Sequence, residues 1–265
     1  MSNVITKNAK VLLVCFFSMI FMSSTVSADT SSGYYETPTI NGYNYSFTSE
    51  VWIRYPTTGH TIEAVGFVKA NKGVPAGYMG VQARLFDESG TMKTSSSMAY
   101  NDNDGNLTNY AYSPRLTSKG VYYAQSKAAF YYGSGYTSFV GYRSPNQTFS
   151  STNSQISDKN SKEVEDLLSK TQYAVNSNGE TYGSALSANT IGDEPKLISA
   201  EGTNGVKGYI RSEDLTPNVS SIEEAIKQTG KNGDSRTIPL YDVEGKKAIG
   251  EFEIVSNYEF KDSAK

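Results

Sequence analysis

His60 is the only histidine in the 265-residue chain, so any site built on imidazole has a single base to draw on. A histidine metal site would need carboxylates for its remaining ligands, and a Ser-His-Asp arrangement would have no alternative base. Gly59-His60-Thr61 reads as a turn entering a strand, where an exposed histidine needs no catalytic explanation. Four acid pairs, Asp87-Glu88, Asp193-Glu194, Glu213-Asp214 and Glu223-Glu224, offer the two carboxylates of a glycosidase, which needs neither His nor Cys. Adjacent residues on a strand point to opposite faces, so each pair also reads as a solvated surface feature. Asp102, Asp104 and Asn106 place hard oxygen ligands at alternate positions, as a calcium loop does. The EF-hand frame fails, because Tyr100 stands where one register needs an acid and Leu107 where the other needs glycine. A polar hairpin turn is the expectation there, with those three residues a weak metal candidate and no cofactor expected.

The aromatic side chains suggest a different chemistry. If Ile53, Ile62 and Leu85 point inward, strand parity sends Trp52, Val65, Phe67, Tyr123 and Tyr131 outward, where apolar groups require a cover or a ligand. They can pack under loops, meet a second domain, or form an aromatic platform for a sugar or peptide, since flat rings with polar rims suit both. Trp52, Phe67, Tyr123 and Tyr131 are therefore the candidate ligand-facing residues. Trp52, the only tryptophan, lies between Glu50 and Arg54 on its face, which fits a wet surface better than a second core.

The elements that must position these residues follow from period-two alternation. Tyr45, Phe47, Ser49, Val51, Ile53 and Tyr55 share one side of a strand, and Ser46, Thr48, Glu50, Trp52 and Arg54 the other. The pattern recurs at Ile62 to Val68, Val81 to Leu85 and Tyr122 to Phe130, with turn signals at Pro56 to Gly59, Asn71 to Gly77, Ser89-Gly90, Asn101 to Asn106 and Gly133 to Gly135. Such spacing predicts an all-β sandwich for the N-terminal domain.

A composition step marks where that domain ends. Residues 29–150 hold 15 of the 20 tyrosines and the tryptophan, whereas residues 151–265 carry 13 basic against 19 acidic side chains. The polar stretch 151–160 reads as a linker. Beyond it, residues 161–258 mix periods and are expected to form a small α+β C-terminal domain, followed by a tail, 259–265. Ser161 or Asp158 can cap a helix with Val164, Leu167 and Leu168 on one face, and Ser221 with Glu224 forms a capping-box pattern. Strands are expected at Lys196 to Glu201 and Gly208 to Arg211, and a hairpin from Ile238–Asp242 and Ala248–Val255 through Glu244-Gly245. Pro239 cannot donate to a ladder, so its strand is expected at an edge.

Export is the broadest expectation. Lys7 and Lys10, the apolar run Val11 to Met22 and the small-residue end Val26-Ser27-Ala28 have the layout of a secretory signal peptide, residues 1–28. The run is short of the roughly 20 residues a spanning helix needs, so no membrane association is expected after cleavage. Cys15 lies within the segment removed, and the mature chain would hold no thiol for disulfides, nucleophilic catalysis or metal ligation. Removing the two signal lysines leaves 22 basic against 27 acidic side chains, a net charge of −5, which argues against nucleic acid or an anionic membrane as partner.

Residues 33–149 resemble small exported proteins of Gram-positive bacteria and their prophages, through Val74-Pro75-Ala76-Gly77-Tyr78-Met79-Gly80, Arg84-Leu85-Phe86, Gly133-Ser134-Gly135-Tyr136 and Ser144-Pro145. Residues 161–255 resemble a module of unassigned role in secreted Gram-positive proteins, through Thr181-Tyr182-Gly183-Ser184, Glu194-Pro195-Lys196-Leu197-Ile198, Gly208-Tyr209-Ile210-Arg211 and Ile238-Pro239-Leu240-Tyr241-Asp242. Asn204-Gly205-Val206-Lys207-Gly208-Tyr209-Ile210 is also similar to the last turn and strand of bacterial SH3-like wall-binding domains. These resemblances imply a bacterial extracellular setting and carry over no catalytic or binding residue. The expected function is a secreted, non-catalytic binding protein for cell-wall polysaccharide or another extracellular protein. A carboxylate-dependent hydrolase is the alternative, and a secreted toxin, bacteriocin-like factor or enzyme inhibitor a third.

Overall fold

The computed structural model describes residues 29–57, 59–150, 154–157 and 160–262. The expected signal peptide, with Cys15, lies outside them. Strand accounts for 48% of the structure and helix for 12%, so the protein is mainly β.

Alternation in the sequence becomes two packed layers. Tyr45–Arg54 and Thr61–Val74 form a long antiparallel hairpin, with Phe47 opposite Val68, Val51 opposite Ala64 and Ile53 opposite Ile62. Asn106–Tyr112 pairs with the second of these strands and Tyr258–Asp262 with Asn106–Tyr112, while Thr30–Ser31 and Tyr35–Glu36 pair with the free side of the first. Facing this sheet are a four-stranded sheet, containing Met79–Gln82, Lys127–Tyr131 and Tyr136–Val140, and the strands Arg84–Asp87, Gly120–Ala124 and Asn146–Phe149 of a larger sheet. Between the layers lie Tyr45, Phe47, Val51, Ile62 and Val68 from one side and Val81, Leu85, Tyr122, Ala124 and Phe130 from the other. These are the residues that period-two parity sends inward, and the arrangement is that of a β-sandwich.

The larger sheet runs through both halves of the sequence. Its eleven strands include Arg84–Asp87, Met92–Ser96 and Gly120–Ala124 from the first half and Leu197–Glu201, Lys207–Arg211, Ser235–Tyr241 and Ala248–Val255 from the second. Met92–Ser96 makes the join, pairing antiparallel with Arg84–Asp87 and parallel with Ala248–Val255. A second core lies against it, where Phe86, Met92 and Tyr123 meet Leu186, Ile198, Ile210, Leu240, Phe252 and Ile254. Arg84–Asp87 and Gly120–Ala124 are therefore buried on both faces, with Leu85 and Tyr122 in the sandwich core and Phe86 and Tyr123 in the other.

Several local expectations meet their geometry. Ser161 accepts from Val164 N at 3.3 Å ahead of the helix Lys162–Leu168, and Ser221 accepts from Glu224 N at 3.2 Å ahead of Ile222–Thr229. Glu224 reaches back to Ser220 N and Oγ rather than to Ser221, a variant of the capping box. The hairpin Ser235–Tyr241 and Ala248–Val255 turns through Gly245 at φ +68°. Three expectations differ. Residues 259–262 of the expected tail belong to the strand Tyr258–Asp262, which pairs antiparallel with Asn106–Tyr112. Ser154–Ser157, within the expected linker, pairs antiparallel with Asn146–Phe149, because Ser and Thr-rich main chain still has donors and acceptors to place against an edge. The Pro239 strand is internal in sheet order; it meets Lys207–Arg211 only at Tyr209 and Tyr241, so Pro239 is not asked to donate on that side.

Candidate aromatic binding face

The outer surface of the sandwich sheet carries the candidate site. Trp52 pairs with Glu63, Val65 with Tyr112, and Phe67 with Thr48 and Tyr110, so these residues share the face turned away from the core. Phe67 and Tyr110 rings lie 4.7 Å apart, Trp52 and Tyr112 5.9 Å, and Tyr110 and Tyr112 are stacked at 6.3 Å with planes 10° apart. Tyr34 meets the edge of Phe67 at 6.5 Å and is 48% exposed, while Trp52, Phe67, Tyr110 and Tyr112 are half-buried. The small residues beneath them, Thr48 and Val65, are buried.

Polar groups hold these rings. The Trp52 indole N–H donates to Glu50 Oε2 at 2.7 Å, and Thr48 Oγ1 donates to Glu50 Oε1 at 2.8 Å. Arg54 lies 4.4 Å over the indole and donates through Nε to Glu63 Oε1 at 2.5 Å, while Arg115 donates to Glu63 Oε2 at 3.1 Å. Glu63 is only 1% exposed, so two guanidiniums neutralise a desolvated carboxylate beside the indole. At the other end Lys69 lies 4.4 Å over Tyr34 and Lys261 5.0 Å over Tyr110. Burial raises the Tyr110 and Tyr112 phenols above their ordinary range, and for Tyr112 the Glu259 carboxylate that accepts its hydrogen bond adds to this. Both hydroxyls remain protonated donors at neutral pH. Rings with fixed orientation and a rim of donors and acceptors suit a ligand that offers a flat apolar surface edged by hydroxyls or amides.

The four aromatic residues expected from parity are divided. Trp52 and Phe67 share the outer face. Tyr131 belongs to the four-stranded sheet, where it packs with Tyr78 at 5.1 Å and Tyr136 at 5.4 Å and donates to Gly133 O. Tyr123 is corrected: parity rightly turned it out of the sandwich, but the second core covers that face, and Tyr123 is fully buried and stacked on Phe86 at 5.3 Å. Val65 is likewise buried. Tyr110 and Tyr112 were missed; their alternation with Asn109 and Ala111 is the signal that reveals them.

The other candidates have structural employment. Asp104 accepts from Ala76 N at 2.8 Å and Asp102 from Asn103 Nδ2 at 2.7 Å, while Asn106 is buried in its strand, and no cluster of three His, Cys, Asp or Glu is placed to hold a metal among the described residues. His60 packs edge-on to Tyr55 at 4.6 Å. Of the acid pairs, Glu194 is bound by Lys127 Nζ at 2.7 Å and by Arg84 Nη1, and Arg84 is fully buried with Nε donating to Gln125 O at 2.9 Å. Burial by itself pushes the Glu194 carboxyl up; Arg84 and then Lys127 outweigh it and hold the group down at about 2. Glu194 lies in a cleft of about 680 Å³ whose walls also carry Asp193, Glu213, Lys196, Phe139 and Tyr142. No helix among the described residues is long and apolar enough to cross a membrane. Comparison with protein-family models, with curated proteins and with solved structures gave no match to this chain.

Proposed function

We propose that the protein is a secreted, non-catalytic binding protein of two parts, in which residues 29–150 present the outer aromatic face to an extracellular ligand and residues 161–258 cover the opposite layer of the sandwich. Cell-wall polysaccharide is the ligand class that this face suits best. The observation that carries the reading is the set of Tyr34, Trp52, Phe67, Tyr110 and Tyr112 grouped on the outer side of one sheet, with the indole fixed by Glu50 and Arg54. Pyranose rings have apolar faces and hydroxyl edges, and rings already held in place lose little freedom on binding. Glu194, held ionised at neutral pH by Arg84 and Lys127, has no proton to give a leaving group and so does not supply the general acid of the hydrolase alternative.

The test is co-sedimentation of purified protein with insoluble wall polysaccharide, alongside titration of Trp52 fluorescence with soluble fragments. Trp52→Ala is expected to weaken binding about tenfold, the size of one lost aromatic contact. Binding unchanged in Trp52→Ala and in Tyr110→Ala would remove the face from the function. Capture of an extracellular protein by the same face, with no retention on polysaccharide, would replace the ligand class.

A further inference from the structure

The cleft that holds Glu194 is bordered by an unprotected sheet edge. Tyr136–Val140 ends the four-stranded sheet and, among the described residues, pairs only with Lys127–Tyr131, from Tyr131 opposite Tyr136 to Lys127 opposite Val140. Among the described residues, no group outside that partner strand bonds to the main chain of residues 136–140. An antiparallel strand directs alternate N–H and C=O groups to each side, so this edge presents a row of unmet donors and acceptors. Proteins usually blunt such edges with charge, proline, a bulge or shortness, and Tyr136-Thr137-Ser138-Phe139-Val140 has none of these. Several other edge strands do: Tyr258–Asp262 carries Glu259 and Lys261, and Thr30–Ser31, Ala99–Tyr100 and Ala174–Val175 are two residues each.

The edge opens into the cleft, because Ser138, Phe139 and Val140 line it. Just past the strand, Gly141 O accepts from Asn189 Nδ2 at 3.1 Å, a donor that reaches across from the second half of the chain. The main chain at this end therefore already takes a hydrogen bond from the opposite wall, whereas residues 136–140 are left open. That wall carries Asp193 and Glu213, both exposed and without an ion pair or hydrogen bond among the described residues. The wall also carries one cation, Lys196, against these two carboxylates, and Lys127 is committed to Glu194.

We infer that the cleft is a docking site for an extended peptide with basic side chains, which adds as a fifth strand to Tyr136–Val140 and sets its Lys or Arg residues against Asp193 and Glu213. Main-chain bonds to the edge supply affinity that is indifferent to sequence, and the two carboxylates supply the preference for charge. The site is separate from the outer aromatic face and does not depend on what that face binds.

The probe is the peptide acetyl-Thr-Lys-Val-Lys-Thr-amide at low ionic strength, read by fluorescence anisotropy and by amide hydrogen exchange of the full chain without its leader. Saturating peptide is expected to slow exchange at alternate amides of residues 136–140. Two N-methylated versions, each blocking one edge of the peptide, should differ, with one retaining binding and the other losing it. Replacing both lysines by glutamate, or introducing Asp193→Asn with Glu213→Gln, should weaken binding about fivefold, as expected for two partly exposed ion pairs. Asp193→Asn and Glu213→Gln change exposed side chains, so the fold is retained. Unchanged exchange at residues 136–140, or equal binding of both N-methylated peptides, overturns strand addition. Equal binding of lysine and glutamate peptides overturns the basic class. Protection of the same amides on concentrating the protein alone, with dimer formation, makes a second copy of the chain the occupant instead.

Discussion

At the residue scale the most informative group is Glu194, whose neighbour in sequence, Asp193, looks like its equivalent. Glu194 is 7% exposed, and its two cationic partners come from strands more than sixty residues upstream. A carboxyl that titrates at about 2 when folded and near its ordinary value when unfolded favours the folded state wherever the unfolded chain would be ionised. The contribution, about 3 kcal/mol for a shift of this size, is complete above about pH 4.5 and is lost as pH falls towards 2. Glu194→Gln should therefore flatten the acid limb of a stability-versus-pH curve, and at pH 7 should cost about 3 to 5 kcal/mol by leaving Arg84 buried without its counter-ion. Equal denaturation midpoints for variant and wild type at pH 7 would contradict this. Trp52 shows the opposite balance. It is half-buried and held by Glu50 and Arg54, so Trp52→Ala should cost less stability than the 3 to 5 kcal/mol of an emptied core site, while binding falls. Its emission should be that of a partly exposed indole and should respond to ligand. Parity was sufficient to turn Trp52 outward, but no local pattern could tell Asp193 from Glu194, because the cations that distinguish them arrive by tertiary contact.

At the scale of elements, alternation was read correctly along the long hairpin because one face packs on the facing layer and the other carries half-buried rings among polar groups, and a slip of one residue would exchange them. The same rule left Gly120–Ala124 ambiguous, since a strand buried on both faces still alternates while its outward residues find another core. Gly66 marks how closely the sandwich layers approach. A β-carbon there would meet Val81 Cγ2 at 2.8 Å and Ser126 Oγ at 3.0 Å, and Gln82 O at 3.2 Å. Gly66→Ala is expected to lower stability by about 1 to 3 kcal/mol through overpacking, measured by chemical denaturation. A neutral result would mean that the layers separate more readily than their register implies. Pro239 teaches a related lesson: its missing N–H restricts hydrogen bonding at one residue, and sheet order tolerates it wherever the neighbouring strand pairs elsewhere along the chain.

At the scale of the whole molecule, the eleven-stranded sheet, the second core and the Arg84–Glu194–Lys127 cluster join the two halves of the sequence, and Tyr258–Asp262 adds to the edge of the sandwich sheet. If a specific protease site is introduced in 151–160 and cut, the two fragments should remain together through size exclusion under native conditions and part only in denaturant. Separation without denaturant would show that these contacts are too weak to hold the halves. By itself the sequence determined the mainly β architecture of the first half, the inward set of the sandwich, the outward turn of Trp52 and Phe67, and the capped helices at Ser161 and Ser221. Each depends on residues within a few positions of one another, where period and capping chemistry act directly. Only the tertiary structure decided that Tyr123 is core, that Tyr110 and Tyr112 complete the aromatic face, that Glu194 is an ionised counter-ion, and that Tyr136–Val140 is left open along a cleft. Those outcomes depend on which strand lies beside which, and burial of apolar area, which drives that choice, is indifferent to distance along the chain.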